Sequence, residues 1–246
     1  MPTGEFPQWL HGLAIASLVI AILCGLFILF DVVRRPQKMA VMNVVWPVTA
    51  LFGSVLWLAG YLAWGRGPEK RGGHDEADAP AASPAAKSMP VMVAKASSHC
   101  GAGCTLGDIV AEWLVFFIPG IAVAFGWHSL FGEKIFAVWV LDYIVAFLLG
   151  IVFQYFTIKP MRGLSVKEGI LQALKADAAS ITAWQVGMYG FMAIAQFAWF
   201  GRLYGGLAEV DQPEFWFAMQ IAMLCGFATS YPVNWLLIRM GIKEKM

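Results

Sequence analysis

Apolar residues in this chain gather into six long runs separated by short polar stretches, extending from Trp9 to Val33, Ala40 to Trp64, Leu106 to Trp127, Ile135 to Ile158, Ala179 to Phe200 and Phe215 to Ile238. A helix needs about 20 apolar residues to cross the roughly 30 Å hydrocarbon layer of a bilayer. The pattern therefore predicts an all-α, polytopic transmembrane protein with six spans. Trp9, Tyr61, Trp64, Trp127, Tyr155, Trp199, Tyr204 and Trp216 stand near the ends of these runs, as interfacial aromatic belts require. The first run is longer than the apolar core of a secretory signal and has no clear cleavage site, so it reads as a retained anchor.

The segment 65–98 breaks the pattern. It is rich in Gly, Pro, Ala and charge, a composition that cannot bury enough apolar surface to order itself. It reads as a disordered polar linker between an N-terminal transmembrane helix pair (1–64) and a four-helix transmembrane domain (99–246). After the fourth run, Ser165-Val166-Lys167-Glu168 reads as a capping box opening a helix. Val166, Ile170, Leu171 and Leu174 recur at helical spacing, which predicts a short interfacial helix near 164–177 that turns into the fifth span at Asp177.

Lys and Arg cluster in the loop from Lys159 to Lys175 and in the tail with Arg239, Lys243 and Lys245, while Lys134 and Arg202 stand alone in the opposite loops. The positive-inside rule then places the linker and the C terminus in the cytoplasm. The first loop disagrees, because six spans put Arg34, Arg35 and Lys38 outside. Either the N-terminal pair violates the rule, or the second segment, broken by Pro47, does not fully cross.

Composition agrees with a membrane protein: 59% of residues are hydrophobic and 13% charged. A net charge of +1 and the lack of a basic run leave no nucleic-acid partner. Cys24 and Cys225 lie inside apolar runs and behave as small hydrophobes, so Cys100 and Cys104 are the chemical candidates. His11 and His128 read as interfacial, and Pro119-Gly120 should kink the third span.

Reactive side chains concentrate in Ser98-His99-Cys100-Gly101-Ala102-Gly103-Cys104-Thr105-Leu106-Gly107-Asp108. Thr105-x-x-Asp108 fits a helix-capping pattern, so the third span should start there with the cysteines just ahead of its N terminus, where the helix dipole favours thiolates. His99, Cys100 and Cys104 offer one imidazole and two sulfurs to a metal, with Met89 and Met92 upstream as weaker thioether candidates. That donor set suits Cu(I) or Zn(II) rather than Mg or Ca. Cys104, Asp108 and Glu112 repeat every four residues and share a helix face. With Asp142 in the fourth run, Asp108 and Glu112 form a candidate ion or proton path, because ionisable groups within spans are functional hypotheses by default. Gln154, Gln185, Gln196, Gln220 and Asn234 are interior hydrogen-bonding groups that serve either that path or helix packing. No Walker loop, dinucleotide fingerprint, nucleophile elbow or H-E-x-x-H occurs, and no recognisable catalytic motif marks an enzyme.

The His99–Asp108 motif stands together with Pro160-Met161-Arg162-Gly163-Leu164, Lys175-Ala176-Asp177, Gln185-Val186-Gly187-Met188-Tyr189-Gly190, Tyr231-Pro232-Val233-Asn234-Trp235 and Gly241-Ile242-Lys243-Glu244. In this combination the chain resembles a bacterial integral membrane protein family of unknown function, the domain of unknown function 4396 type. The resemblance covers His99 to Met246. It implies a four-helix membrane domain with the His-Cys motif at its entrance, and it carries no activity.

Three functions follow. The first is binding and handling of a soft metal ion, copper foremost, through His99, Cys100 and Cys104 in a bacterial inner membrane, with a metal chaperone or metalloprotein as partner. The second is a quinone-linked thiol/disulfide oxidoreductase using Cys100 and Cys104. The third is a non-catalytic membrane scaffold or assembly factor.

Overall fold

The computed structural model describes residues 5–37, 39–67, 88–162 and 165–243. Its order is α1 (Gln8–Arg34), α2 (Met42–Gly60) continued by a π-helical turn (Tyr61–Gly65), α3 (Met89–Phe117), α4 (Gly120–Ala124), α5 (Lys134–Arg162), α6 (Val166–Ala193) continued by a π-helical stretch (Ile194–Phe200), α7 (Gly201–Leu203) and α8 (Pro213–Arg239). The fold is all-α, with no strand among the described residues. Among the described residues, five helices are long and apolar enough to cross a membrane: Gln8–Arg34, Met42–Gly65, Met89–Phe117, Lys134–Phe156 and Pro213–Arg239. The chain is thus an integral membrane protein. The run from Ala179 to Phe200, the sixth expected span, is not among these five; it belongs to α6, which packs between α5 and α8.

α1 turns Leu10, Ala14, Ala21, Cys24, Ile28 and Val32 inward at helical spacing and leaves Leu23, Phe30 and Val33 largely exposed. That inside-out apolar surface is what a lipid-facing helix presents.

α2 does not run straight. Ser54 has φ 47 and ψ −129, and the helix doubles back there. Trp46 and Tyr61 would stand ~22 Å apart along a straight helix, yet their rings lie 5.6 Å apart. Gly65 is tucked against the Trp46 ring. Beyond the hairpin, Arg66 donates two 2.9 Å hydrogen bonds to Asp31 in the last turn of α1, and the Tyr61 hydroxyl donates a third at 2.7 Å. Both ends of α2 therefore lie at the C-terminal end of α1. The break falls at Ser54 rather than at Pro47, which α2 carries in its interior.

α3, α5, α6 and α8 form the C-terminal bundle, and small residues let them approach closely. A Cβ on Gly107 would come within 2.8 Å of Ala146 Cα on α5, and one on Gly103 within 3.1 Å of Gly150 N. The Trp184 ring of α6 covers Gly101 of α3 and Gly226 of α8.

Three expectations change. α3 begins at Met89 with Pro90 in its first turn, so residues 89–98 are helix rather than linker; residues 68–87 lie outside the described set. The His-Cys motif is consequently mid-helix and buried, away from any helix N terminus. Its glycines serve helix contact, and Thr105 Oγ1 donates to the Gly101 carbonyl at 2.7 Å instead of capping. Finally, α6 runs unbroken through Asp177, so the short helix expected near 164–177 is its first half. The Ser165–Glu168 capping box is formed as expected. The third run does break at Pro119, between α3 and α4.

Candidate cation site

Along α3, residues 100, 104, 108 and 112 fall one turn apart, and the bundle buries all four. Cys100, Cys104 and Asp108 are fully inaccessible and Glu112 nearly so. This inner edge carries two groups of polar side chains.

The first lies at the end of the bundle where α3 starts and α8 stops. His99, Cys100 and Asp177 place one ligand-type atom each within 4.8 Å of one another, all buried. Asp177 comes from α6 because that helix continues through it. A fourth group completes the cluster: Lys243, also fully buried, donates to Cys100 Sγ at 2.8 Å, Asp177 Oδ1 at 2.7 Å and Ser180 Oγ at 3.2 Å. Three acceptors match the three protons of an ammonium. Burial is the largest single influence and works against the Lys243 charge, but Asp177 and Cys100 together outweigh it and hold the group above its ordinary value. Cys100 in turn donates to Asp177 Oδ1 at 3.5 Å and lies 3.2 Å from Ser180 Oγ. His99 is bonded to the Phe153 backbone.

Lys243 reaches this position because α8 ends in a glycine turn. Gly241 has φ +71, and the amides of Ile242 and Lys243 bond the Leu237 carbonyl at 3.0 and 3.2 Å. Glycine at this point reverses the chain without Cβ strain and sends the lysine back into the bundle.

The second group lies two turns deeper. Asp108 of α3 and Asp142 of α5 are neighbouring carboxyls, both fully buried. No other described donor reaches either Asp108 oxygen. Tyr189 of α6 donates to the Trp139 carbonyl at 3.0 Å and meets Asp142 Oδ2 at 3.4 Å. Glu112 follows one turn on, toward the far end, where Lys134 and Glu209 pair at 2.7 Å.

The expected residues are thus distributed as follows. His99 and Cys100 meet, while Cys104 stands a turn away and is not in the ligand group. Asp108, Glu112 and Asp142 form the deeper group. Met89 and Met92 lie in the first turns of α3, apart from both. All four cysteines are free. Cys100 and Cys104 are i,i+4 neighbours, whose Cβ atoms stand about 5–6 Å apart on a helix against roughly 3.8 Å in a disulfide. Joining them requires α3 to unwind locally. Among the amides, Gln196 clamps both backbone groups of Ala208, Gln220 holds Leu51 and Ser17, and Asn234 holds Ser97. These serve packing. Gln154 and Gln185 are buried with no partner among the described residues. His11 pairs with Glu214 at 2.8 Å and His128 stacks on Trp127, both remote from the cluster.

Asp177, Ser180 and Lys243 were not singled out as site residues from the sequence. The signal for Lys243 is a glycine just past a helix end followed by a lysine two residues on.

A family model described as a domain of unknown function (DUF4396) matches residues 91–243. The chain belongs to this family. The matched stretch begins in the first turn of α3 and ends on Lys243, so the DUF4396 domain contains every residue of both groups and excludes α1 and α2. No curated protein and no solved structure matches the chain.

Proposed function

We propose that this DUF4396 protein binds and handles a soft monovalent cation, copper(I) foremost, at His99, Cys100 and Asp177, the ion entering in exchange for the Lys243 ammonium. The observation that carries the reading is the Lys243 contact set: a fully buried pocket with imidazole, thiol and carboxylate around it holds one positive charge. With the Cys100 proton passed on to the Asp108 and Asp142 carboxyls, exchanging the ammonium for a monovalent ion leaves the summed charge of the buried groups unchanged, and uncompensated charge in a low-dielectric interior is costly. Sulfur and imidazole are the soft donors copper(I) prefers; Asp177 supplies the balancing negative charge. With metal–sulfur and metal–nitrogen bonds of about 2.3 and about 2.0 Å, the ligand atoms close in by a modest side-chain rotation. As Cys100 ligates, its thiol proton leaves, and the Asp108–Asp142 pair has room for it. Glu112 continues that proton path toward Lys134 and Glu209.

The Lys243 end faces the cytoplasm of a bacterial inner membrane in this reading. A cytoplasmic metal chaperone or metalloprotein is then the natural exchange partner.

The test is metal analysis of protein purified in mild detergent after growth with copper, wild type beside Cys100→Ser and His99→Ala. Stoichiometric copper in the wild type that is lost in both variants supports the site. Negligible metal in all three, or equal metal in all three, overturns it.

A further inference from the structure

Lys243 and Cys100 lie 143 residues apart in the chain, yet the lysine Nζ stands 2.8 Å from the cysteine Sγ. Neither side chain has accessible surface. Sulfur is larger than oxygen, so a hydrogen bond to it normally leaves a wider gap. A separation this short is what a single bridging atom spans. The nitrogen is also held in place by Asp177 Oδ1 at 2.7 Å and Ser180 Oγ at 3.2 Å, and Ser180 Oγ in turn lies 3.2 Å from the Cys100 sulfur. An amine and a thiol are therefore fixed in contact by the fold itself.

Burial decides which oxidant reaches them. Dioxygen is small and apolar and dissolves in a bilayer, whereas a polar peroxide is turned away from an inaccessible pocket between helices. Oxidised cysteine sulfur is captured by a thiol or a nitrogen close at hand. Cys104 is also buried, but it stands one turn along α3 and pairing with it requires that helix to unwind. The Lys243 amine is already in contact and needs no backbone movement.

We propose that Cys100 and Lys243 form an oxidative modification site, at which dioxygen joins thiol to amine through one bridging oxygen, Sγ–O–Nζ. The new O–S and N–O bonds replace the S–H bond and one N–H bond. Sulfur and nitrogen each give up an electron pair, and these reduce both oxygen atoms: one stays in the bridge, the other leaves as water with the two displaced hydrogens. The extra proton of the ammonium passes to Asp177 Oδ1. The product ties the tail beyond α8 to the middle of α3. The proposal stands on the Nζ–Sγ contact and does not need the cation reading.

The test uses the full chain in mild detergent with a metal chelator present, kept under argon or exposed to isotopically heavy dioxygen, then digested without reductant and read by high-resolution mass spectrometry. The expected product is a peptide pair joining Cys100 to Lys243, heavier than the two peptides together by one oxygen less two hydrogens, with that oxygen carrying the heavy isotope. It should be absent under argon and reversed by dithiothreitol, which returns amine, thiol and water. Lys243→Arg, which keeps the charge, and Cys100→Ser should each abolish it. Cys104→Ser should leave it intact, and so should His99→Ala, which removes a cation ligand and separates this site from the cation reading. Recovery of Cys100 after dioxygen only as a free thiol, as a sulfinic acid or in a disulfide with Cys104 overturns the proposal. A linked pair without the extra oxygen, or one that persists in Lys243→Arg, overturns it equally.

Discussion

Lys243 and Asp177 are each fully buried, and neither can be removed alone without leaving the other in a medium that penalises charge. Breaking such a pair costs ~3–5 kcal/mol, while replacing both partners by apolar groups is often neutral. Lys243→Leu and Asp177→Asn should each lower the thermal midpoint in detergent by several degrees, and Lys243→Leu with Asp177→Leu should recover most of the loss. Additive losses in the double variant would show that the two residues do not act as a pair. Because the Lys243 value is raised in the fold, its contribution is complete below the unfolded lysine value of about 10.4 and fades only as pH rises through the higher folded one. The ammonium is therefore present throughout the neutral range. His99 and Cys100 were legible in the sequence because soft donors adjoin there. Lys243 was not, since a lysine in a C-terminal tail reads as interfacial charge until Gly241 is seen to turn it inward.

Among the elements, α3 shows how glycine misleads at first sight. Gly101, Gly103 and Gly107 suggest a loop, yet in lipid the helix is the form that satisfies its own backbone, and these glycines mark where α5 and α6 press on α3. Gly107→Ala sets a methyl against Ala146 backbone and should destabilise by about 1–3 kcal/mol. Gly190→Ala meets nothing within 4 Å and should be neutral or stabilising, by up to ~1 kcal/mol; thermal midpoints compare the two directly. Equal effects would contradict the packing account. α2 was legible as an apolar run of spanning length, but length alone does not distinguish a crossing helix from a hairpin. Ser54 holds a backbone conformation that costs non-glycine residues about 1–3 kcal/mol, so Ser54→Gly should raise the midpoint and Ser54→Val lower it. If α2 is re-entrant, Pro36→Cys and Gly67→Cys will label with an impermeant maleimide from the same side of the membrane. Labelling from opposite sides would restore a full crossing.

At the scale of the whole molecule, the hairpin removes the conflict in the charge pattern. With α2 folded back, Arg34, Arg35, Arg66, Lys95, Lys167, Lys175, Arg239 and Lys243 all belong to segments that meet at one end, while Lys134 and Arg202 lie at the other. That asymmetry is the positive-inside pattern of an N-out, C-in protein. From the basic end a line of buried polar groups descends α3 at one-turn intervals, from Lys243, Asp177 and Cys100 past Cys104 to Asp108, Asp142 and Glu112. The repeat of four was visible in the sequence; the partners from α5, α6 and the tail were not, because each is distant in sequence and brought in by tertiary packing. The central claim is that Lys243 occupies the place of an entering cation. The most direct test is a copper(I) titration of nanodisc-embedded protein against a chromophoric chelator, for wild type, Lys243→Leu and each combined with Cys100→Ser. An ion that must displace the ammonium loses affinity to that competition, so Lys243→Leu should bind about tenfold tighter or more, and Cys100→Ser should abolish binding in either background. Equal affinity with and without Lys243, or binding that survives Cys100→Ser, would contradict the account.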